Sequence, residues 1–335
     1  MENEKISKKF MKLFSQRGMG QVITVSIGLV VLIIVFGILN PNFFSNRNIS
    51  NLLRQIAPTI LTGVGQSYVL ITGNIDLSIG SVVGMSCMVS ATLMTKGMNP
   101  WLAVAVSYLS AILIGYLNGQ LISKAKLPAF IATLGTMTIA RGIAQIVNNN
   151  YNTDSIGAKA EGFRDFFYYG KTFGLYNTIW IALVIWLIFN FILSKTRTGR
   201  HIYAVGSNIH AANLSGVNIS STITKTYLVS SICAATVGLI ITATSGMGTM
   251  DAGNSYELYA VAASVIGGVS TLGGQGILLG TIVGASIWGV LQNGLQFAGA
   301  PVAIRNIVIG IIVIISVLLD IVVRANKNRA KTKTK

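Results

Sequence analysis

The chain of 335 residues is 52% hydrophobic and only 10% charged, with nine acidic residues and a mean hydropathy of +0.66. Apolar runs this long and this numerous belong in a bilayer and exclude a large folded soluble domain. The net charge of +16 does not point to nucleic acid, because the 25 Lys and Arg cluster at the ends of the apolar runs.

Residues 1–20 carry Lys5, Lys8, Lys9, Lys12 and Arg17 and read as a basic cytoplasmic tail. The apolar run 22–39 is followed by NPNFFSNRN rather than a small-residue cleavage pattern, so it reads as a retained first span. Further spans are predicted near 52–71, 77–95, 101–123, 128–147, 175–194, 226–246, 257–269, 276–297 and 303–323. This is an all-α polytopic membrane protein of about ten helices, some broken, filling 21–323. A second basic tail, 324–335, holds Arg324, Lys327, Arg329, Lys331, Lys333 and Lys335.

An even number of spans puts both termini on one side, and the loop charges make that side cytoplasmic. Lys124 and Lys126 follow the fourth span, and Lys195, Arg197, Arg200 and Lys225 follow the sixth. The loop after span five mixes Asp154, Glu161 and Asp165 with three cations, and the loop after span seven holds Asp251 with no Lys or Arg.

Spans two, three, eight and nine are glycine-rich and interrupted. Broken backbone is tolerated at membrane depth only where it is buried in protein or lines a cavity, which favours a transporter over an anchor. ITGNIDLSIGSVVG (71–84) and IGGVSTLGGQGILLG (266–280) resemble each other, and paired interrupted segments point to a transport pathway. Gly276, Gly280 and Gly284 form a double GxxxG, a pattern for close helix packing.

No phosphate loop, HExxH helix, Cys/His cluster or GxSxG elbow occurs, so no cofactor, metal or catalytic residue is expected. Cys87 and Cys233 read as packing residues, and His201 and His210 as solvated loop residues. Uphill transport would then draw on an ion gradient or a separate ATPase. The few charges near membrane depth are Asp76, Glu257, Arg141 with Gln145 on the same helix face, and Asp320 beside Arg324.

The connection 194–225 contains NIHAANLSGV, which reads as a short helix. Asn208 is its N-cap, Ile209, Ala212 and Leu214 give a small apolar face, and Gly216 is a stop. Such a helix either docks in a partner's groove or lies on the bundle.

GNIDLSIGSVVG resembles the GGIDLSVGS signature of the ribose-type permeases of ATP-binding cassette importers. TGRHIYAVGSNIHAANLSGVNI (198–219) is similar to their cytoplasmic coupling loop, and YELYAVAASVIGGVSTLGGQGILLGTIVGASIWGVLQNGL (256–295) to their late glycine-rich segment. LPAFIATLGTMTIARGIA (127–144) also has the family's look, so the resemblance runs from about residue 50 to the last span. Two positions depart from the family pattern: Asn74 replaces a Gly, and Tyr259 replaces an acid.

The resemblance implies a non-enzymatic permease subunit in the lipid of the cell membrane, working as a pair with an identical or a different second permease. Cytoplasmic ATP-binding subunits would sit beneath it and an extracytoplasmic solute-binding protein above, with no role for nucleic acid. Asn208, Ala211, Ala212, Asn213, Leu214, Ser215 and Gly216 would form the helix that couples to the ATPase. The implied cargo is a monosaccharide, ribose or a similar simple sugar. A permease for nucleosides or branched-chain amino acids, and an ion-coupled carrier, are the alternatives.

Candidate pathway residues are the polar groups on the broken spans, Gln66, Asn74, Asp76, Ser78, Asn118, Gln292 and Asn293, with Trp288 as a stacking surface. For each, helix capping or an interhelical hydrogen bond is an alternative role; Asp76 and Ser78 suit the start of span three. The predicted topology puts Asp76 toward the cytoplasmic end of its break.

Overall fold

A computed structural model describes residues 19–305 and, beyond them, 307–308, 310–312, 314–315 and 317–318. The basic residues of both tails, Asp320 and part of the last predicted span lie outside the described residues. The described chain is an all-helical bundle apart from one small hairpin. Its main helices are α1 (Met19–Leu39), α2 (Asn46–Ile71), α3 (Ile79–Thr95), α4 (Pro100–Ser123), α5 (Ala129–Ile146) and α6 (Asn177–Lys195). After them come α7 (Arg197–Ser207), α8 (Ile209–Leu214), α9 (Ile219–Ser245), α10 (Tyr256–Ile266) and α11 (Leu278–Phe297).

Six of these, α1, α4, α5, α6, α9 and α11, are long and apolar enough to cross a membrane. Several helix starts, though not all, follow ordinary capping chemistry. Asn99 accepts from the Trp101 amide with Pro100 in the first turn, and Asn218 accepts from the Ser221 amide. Gly246, at φ +68°, ends α9 in the left-handed region that glycine enters without strain.

The centre is built on α3 and α9. Every residue of α3 except Leu93 and Thr95 is buried, which its small, uncharged, all-round apolar sequence permits. The two helices run parallel: Asp76 pairs with Ser230, Gly238 abuts Val83 and Ser86, and Ser90 meets Thr242. On the other side α10 and α11 run antiparallel, with Gly267 against Gly280, Ala263 against Gly284 and Tyr259 stacked on Trp288.

Length sets α10 apart. Its 11 residues span roughly 16 Å, about half of a hydrocarbon core. It therefore starts near mid-depth, and the segment 246–255 dips into the bundle to meet it, with Ala252 and Gly253 lying on Gly84 and Gly80 of α3.

The segment after α5, read from sequence as loop, is partly ordered by its own contacts. It contains short helical turns over 158–169 and an antiparallel hairpin, β1 (Lys171–Thr172) and β2 (Leu175–Tyr176), with Lys171 opposite Tyr176. Thr153 and Ile156 donate to the carbonyls of Gly248 and Gly246, tying this segment to the end of α9. The bundle thus has a hairpin end and, opposite it, an end carrying α7 and α8.

One packing expectation is corrected. Gly276 is not on the same helix as Gly280 and Gly284: it precedes α11 at φ +139°, outside helical geometry, and its carbonyl accepts from Tyr203. Gly280 and Gly284 alone carry the close contact, since a Cβ on either would run into the carbonyl of Gly267 or Ala263.

Candidate translocation site

The break between α2 and α3 turns on Gly73, at φ +79°. Asn74, which stands where the resembled family has glycine, needs no such conformation and donates instead to Thr72 Oγ1 at 3.0 Å. Two residues on, Asp76 is 2% exposed, and its carboxylate accepts three hydrogen bonds. The Ser78 amide and hydroxyl reach Oδ1 at 2.9 and 2.6 Å, and Ser230 Oγ reaches Oδ2 at 2.6 Å.

The network continues outward. Asn118 Nδ2 on α4 donates to Ser78 Oγ at 3.0 Å, and Thr136 Oγ1 on α5 donates to Asn118 Oδ1 at 2.6 Å. Tyr227 on α9 donates to the Ile75 carbonyl at 2.9 Å. Asp76, Ser78 and Asn118, three of the candidate pathway residues, thus meet in a closed set of mutually satisfied groups. Ser78 occupies the N-cap position of α3 without a side-chain cap bond; Asp76 closes a turn onto Ser78 instead.

Depth is also revised. Ser230 is eleven residues into α9, roughly 16 Å along it, and Thr136 is seven residues into α5. The chain re-enters after Gly73, so Asp76 sits well inside the bundle rather than at the end of the break.

The two interrupted segments that resemble each other in sequence touch in space. The Gly274 amide donates to the Ile71 carbonyl at 2.8 Å, and Gly273 lies on Gly73. Into this junction fits the end of α7, a helix the sequence reading missed. A Cβ on Gly206 would collide with the Ile71 carbonyl and the Gly274 amide, and Tyr203 donates to the Gly276 carbonyl at 2.6 Å. Burial pushes the Tyr203 phenol up to about 12, so it remains a donor throughout the physiological range.

Helix α8 follows at once. Asn208 ends α7 and caps α8, its Oδ1 accepting from the Ala211 amide at 3.0 Å, and Gly216 at φ +79° stops it. The expected apolar face divides: Ala212 is 4% exposed and packs on the bundle near Val69, Ile122 and Tyr227, whereas Leu214 is 89% exposed. Ile209, His210, Ala211, Asn213, Ser215 and Gly216 are exposed with Leu214, so one face of α8 holds the bundle and the other is open. His201 is exposed too, as read from sequence, though both histidines lie on helices.

At the hairpin end, the space above the short α10 is a cavity of about 380 Å³ between α2, α9, α10 and α11. Trp288 and Gln292 line it, with Gln55, Thr59, Tyr256 and Tyr259. The Trp288 and Tyr259 rings stack at 4.9 Å between centroids, so the residue that departs from the family pattern completes an aromatic wall. Arg54 closes the rim, its guanidinium over the rings of Tyr176 at 3.9 Å and Tyr168 at 4.8 Å.

Asn293 is not with them. It makes a reciprocal amide pair with Asn48, both bonds 3.0 Å, which fastens α11 to α2. Arg141 is likewise used in structure, donating to the Met250 and Ala252 carbonyls at 2.8 and 3.0 Å. Gln66 differs from all of these: it is 0% exposed and neither its amide oxygen nor its nitrogen has a hydrogen-bond partner.

Sequence reasoning missed Ser230, Thr136 and Tyr227, although the Ser/Thr-rich start of span seven was a signal for interhelical hydrogen bonds. It also missed Arg54, Tyr168, Tyr176 and Tyr256, and noted Tyr259 only as a departure from the family pattern; they acquire meaning once the half-length α10 leaves a space beside them.

Residues 48–317 match the family described as branched-chain amino acid transport system / permease component. The chain belongs to this family. The permease is 36% identical over 297 residues to the ribose import permease of Bacillus subtilis, covering 88% of this chain and 91% of that one. It is 34% identical to the ribose import permease of Escherichia coli K12 over 88% of this chain and 92% of that one. The D-allose transport system permease of the same organism is 33% identical over 87% and 89%. No solved structure is a significant match. The permease is therefore the multi-pass cell-membrane component of an ATP-binding cassette importer. Its partners are an ATP-binding subunit, which carries ATP hydrolysis, and a solute-binding protein.

Proposed function

We propose that this permease imports a monosaccharide, ribose or a similar simple sugar, received at the hairpin end and released at the α7–α8 end. In this reading the permease domain covers 21–323 with about ten spans, both tails are cytoplasmic, and the hairpin end faces outward. The lysines and arginines around α7 and α8 support that orientation. A second permease copy, identical or different, completes the membrane unit.

The observation that carries the reading is the wall of the outward cavity. The stacked Trp288 and Tyr259 offer an aromatic face, and Gln55, Thr59, Thr244 and Gln292 offer neutral donors and acceptors beside it. An aromatic face with a rim of uncharged hydrogen-bonding groups suits the apolar face and hydroxyl edge of a sugar ring. The cavity lining includes no acidic residue to meet an ammonium group, and Arg54 is engaged by two tyrosines, which disfavours an amino acid.

The pathway runs from Trp288 and Gln292 past Gln66 toward the break fixed by Asn74, Asp76, Ser78 and Asn118. Asn293 and the Gly280–Gly284 stripe hold the helices around it. Asn208, Ala211, Ala212, Asn213, Leu214, Ser215 and Gly216 form the coupling helix. Its open face docks on the ATP-binding subunit, and α7 passes the movement to the two breaks through Gly206 and Tyr203.

The test is ATP hydrolysis by the permease reconstituted with its ATP-binding subunit and binding protein, across monosaccharides, nucleosides and branched-chain amino acids. Stimulation by a monosaccharide is the expected result. Stimulation by a nucleoside or amino acid alone would replace the sugar reading.

A further inference from the structure

Gln66 is the one wholly buried amide side chain named above whose oxygen and nitrogen both lack a partner among the described residues. Burying a polar group without a hydrogen bond costs stability, and such groups in folded proteins are exceptional. Its neighbours have no such defect. Ser67 Oγ is bonded to Ser264 at 3.0 Å and to Thr281 at 2.8 Å, and Gly65 is pressed against the Ser230 backbone.

Those neighbours define where Gln66 points. A helix turns about 100° per residue. Gly65 faces α9, Ser67 faces α10 and α11, and Gln66 projects between them, into the seam where α9 and α10 flank α2 with little contact between each other. Gln55, Thr59, Thr62 and Gln66 fall on one face of α2, at spacings of four, three and four. That face grades from exposed at Gln55 to 6% at Thr59 and 0% at Thr62 and Gln66. It begins on the cavity wall, where Gln55 and Thr59 lie, and ends five residues before the junction of the two breaks.

We propose that Gln66 is the specificity-determining residue of the pathway, the group that meets the solute as it passes from the cavity toward the α7–α8 end. A primary amide donates and accepts at once, which matches two adjacent hydroxyls of an uncharged polyhydroxylated solute. In the closed bundle the amide has no partner; when α9 and α10 part, the solute supplies one. A solute lacking one of the two hydroxyls leaves the amide half satisfied in a water-poor seam, and discrimination follows from that loss. The inference rests on the sugar-import reading and adds to it the position where hydroxyl pattern is read.

The experiment compares wild type, Gln66→Leu and Gln66→Asn, each co-reconstituted with the ATP-binding subunit and binding protein in vesicles containing ATP. It measures uptake of labelled ribose and of deoxy and epimeric monosaccharides, together with thermal unfolding of each permease in detergent. Gln66→Leu is expected to unfold no earlier than wild type and to lose at least tenfold in ribose uptake. Gln66→Asn is expected to change the ratio of ribose to deoxyribose uptake at least threefold. Unchanged uptake by Gln66→Leu with an unchanged sugar ratio in Gln66→Asn would overturn the proposal, as would a lowered unfolding temperature for Gln66→Leu, which marks a packing role. Wild-type vesicles that take up no monosaccharide would remove the sugar-import reading itself, a result separate from either variant's behaviour.

Discussion

Gly206, one residue before the end of α7, lies flush against the carbonyl of Ile71, the last residue of α2. That carbonyl also accepts from Gly274, so three segments distant in sequence meet at one point: both interrupted spans and the helix leading into α8. A side chain at Gly206 has no space that does not displace all three. Gly206→Ala is expected to cost roughly 1–3 kcal/mol of stability, the usual scale for overpacking a filled interior. Thermal unfolding in detergent checks the stability, and uptake by the assembled importer should fall with it.

Ser230 holds one oxygen of a carboxylate whose other oxygen is held by Ser78. Ser230→Ala removes a donor and leaves Asp76 Oδ2 buried and unpaired, at an expected cost of about 1–3 kcal/mol. Asn118→Ala acts one bond further along the network and should cost less, since Asp76 keeps all three of its hydrogen bonds. Equal losses in the two variants, measured by thermal unfolding, would show that the network is not organised around Asp76.

Leu214 and Ala212 separate two roles that sequence alone assigned together. Leu214→Asp alters an exposed side chain and should leave folding and membrane insertion intact while breaking co-purification with the ATP-binding subunit. Ala212→Glu buries a charge against Val69, Ile122 and Tyr227 and should lower the unfolding temperature before any question of docking arises. Normal co-purification of Leu214→Asp would contradict a docking role for the open face of α8.

The order of the main helices was legible because long apolar runs are set by bilayer thickness, and each of the first nine predicted spans contains a helix in the structure. The shortness of α10 was partly legible, since the predicted span 257–269 is already shorter than a crossing and the helix ends at Ile266, before Gly267 and Gly268. What was not legible is the cavity that a helix this short leaves beside α2 and α9, and with it the roles of Tyr256, Tyr259 and Arg54. Asp76 stood out by charge, whereas its partner Ser230 looks like any serine of a membrane helix until α9 is packed beside it. The end of α7 was hidden for a related reason, since two glycines in a basic stretch suggest a loop unless the backbones they approach are known.

Gly280 faces Gly267 at backbone contact, so Gly280→Leu cannot be absorbed by moving a side chain. Separation of α10 from α11 is the expected consequence, with loss of the stacked Tyr259 and Trp288 wall. Poor yield of folded protein, or an unfolding temperature several degrees lower, is the expected outcome; unchanged stability would remove this stripe as a contact face.

The most direct measurement is uptake of labelled ribose into vesicles that hold the permease with its ATP-binding subunit, supplied with loaded binding protein outside. Accumulation that requires internal ATP and the binding protein, and is indifferent to collapse of proton and sodium gradients, is expected for an importer subunit. Accumulation that survives removal of ATP and disappears with the ion gradient would contradict it.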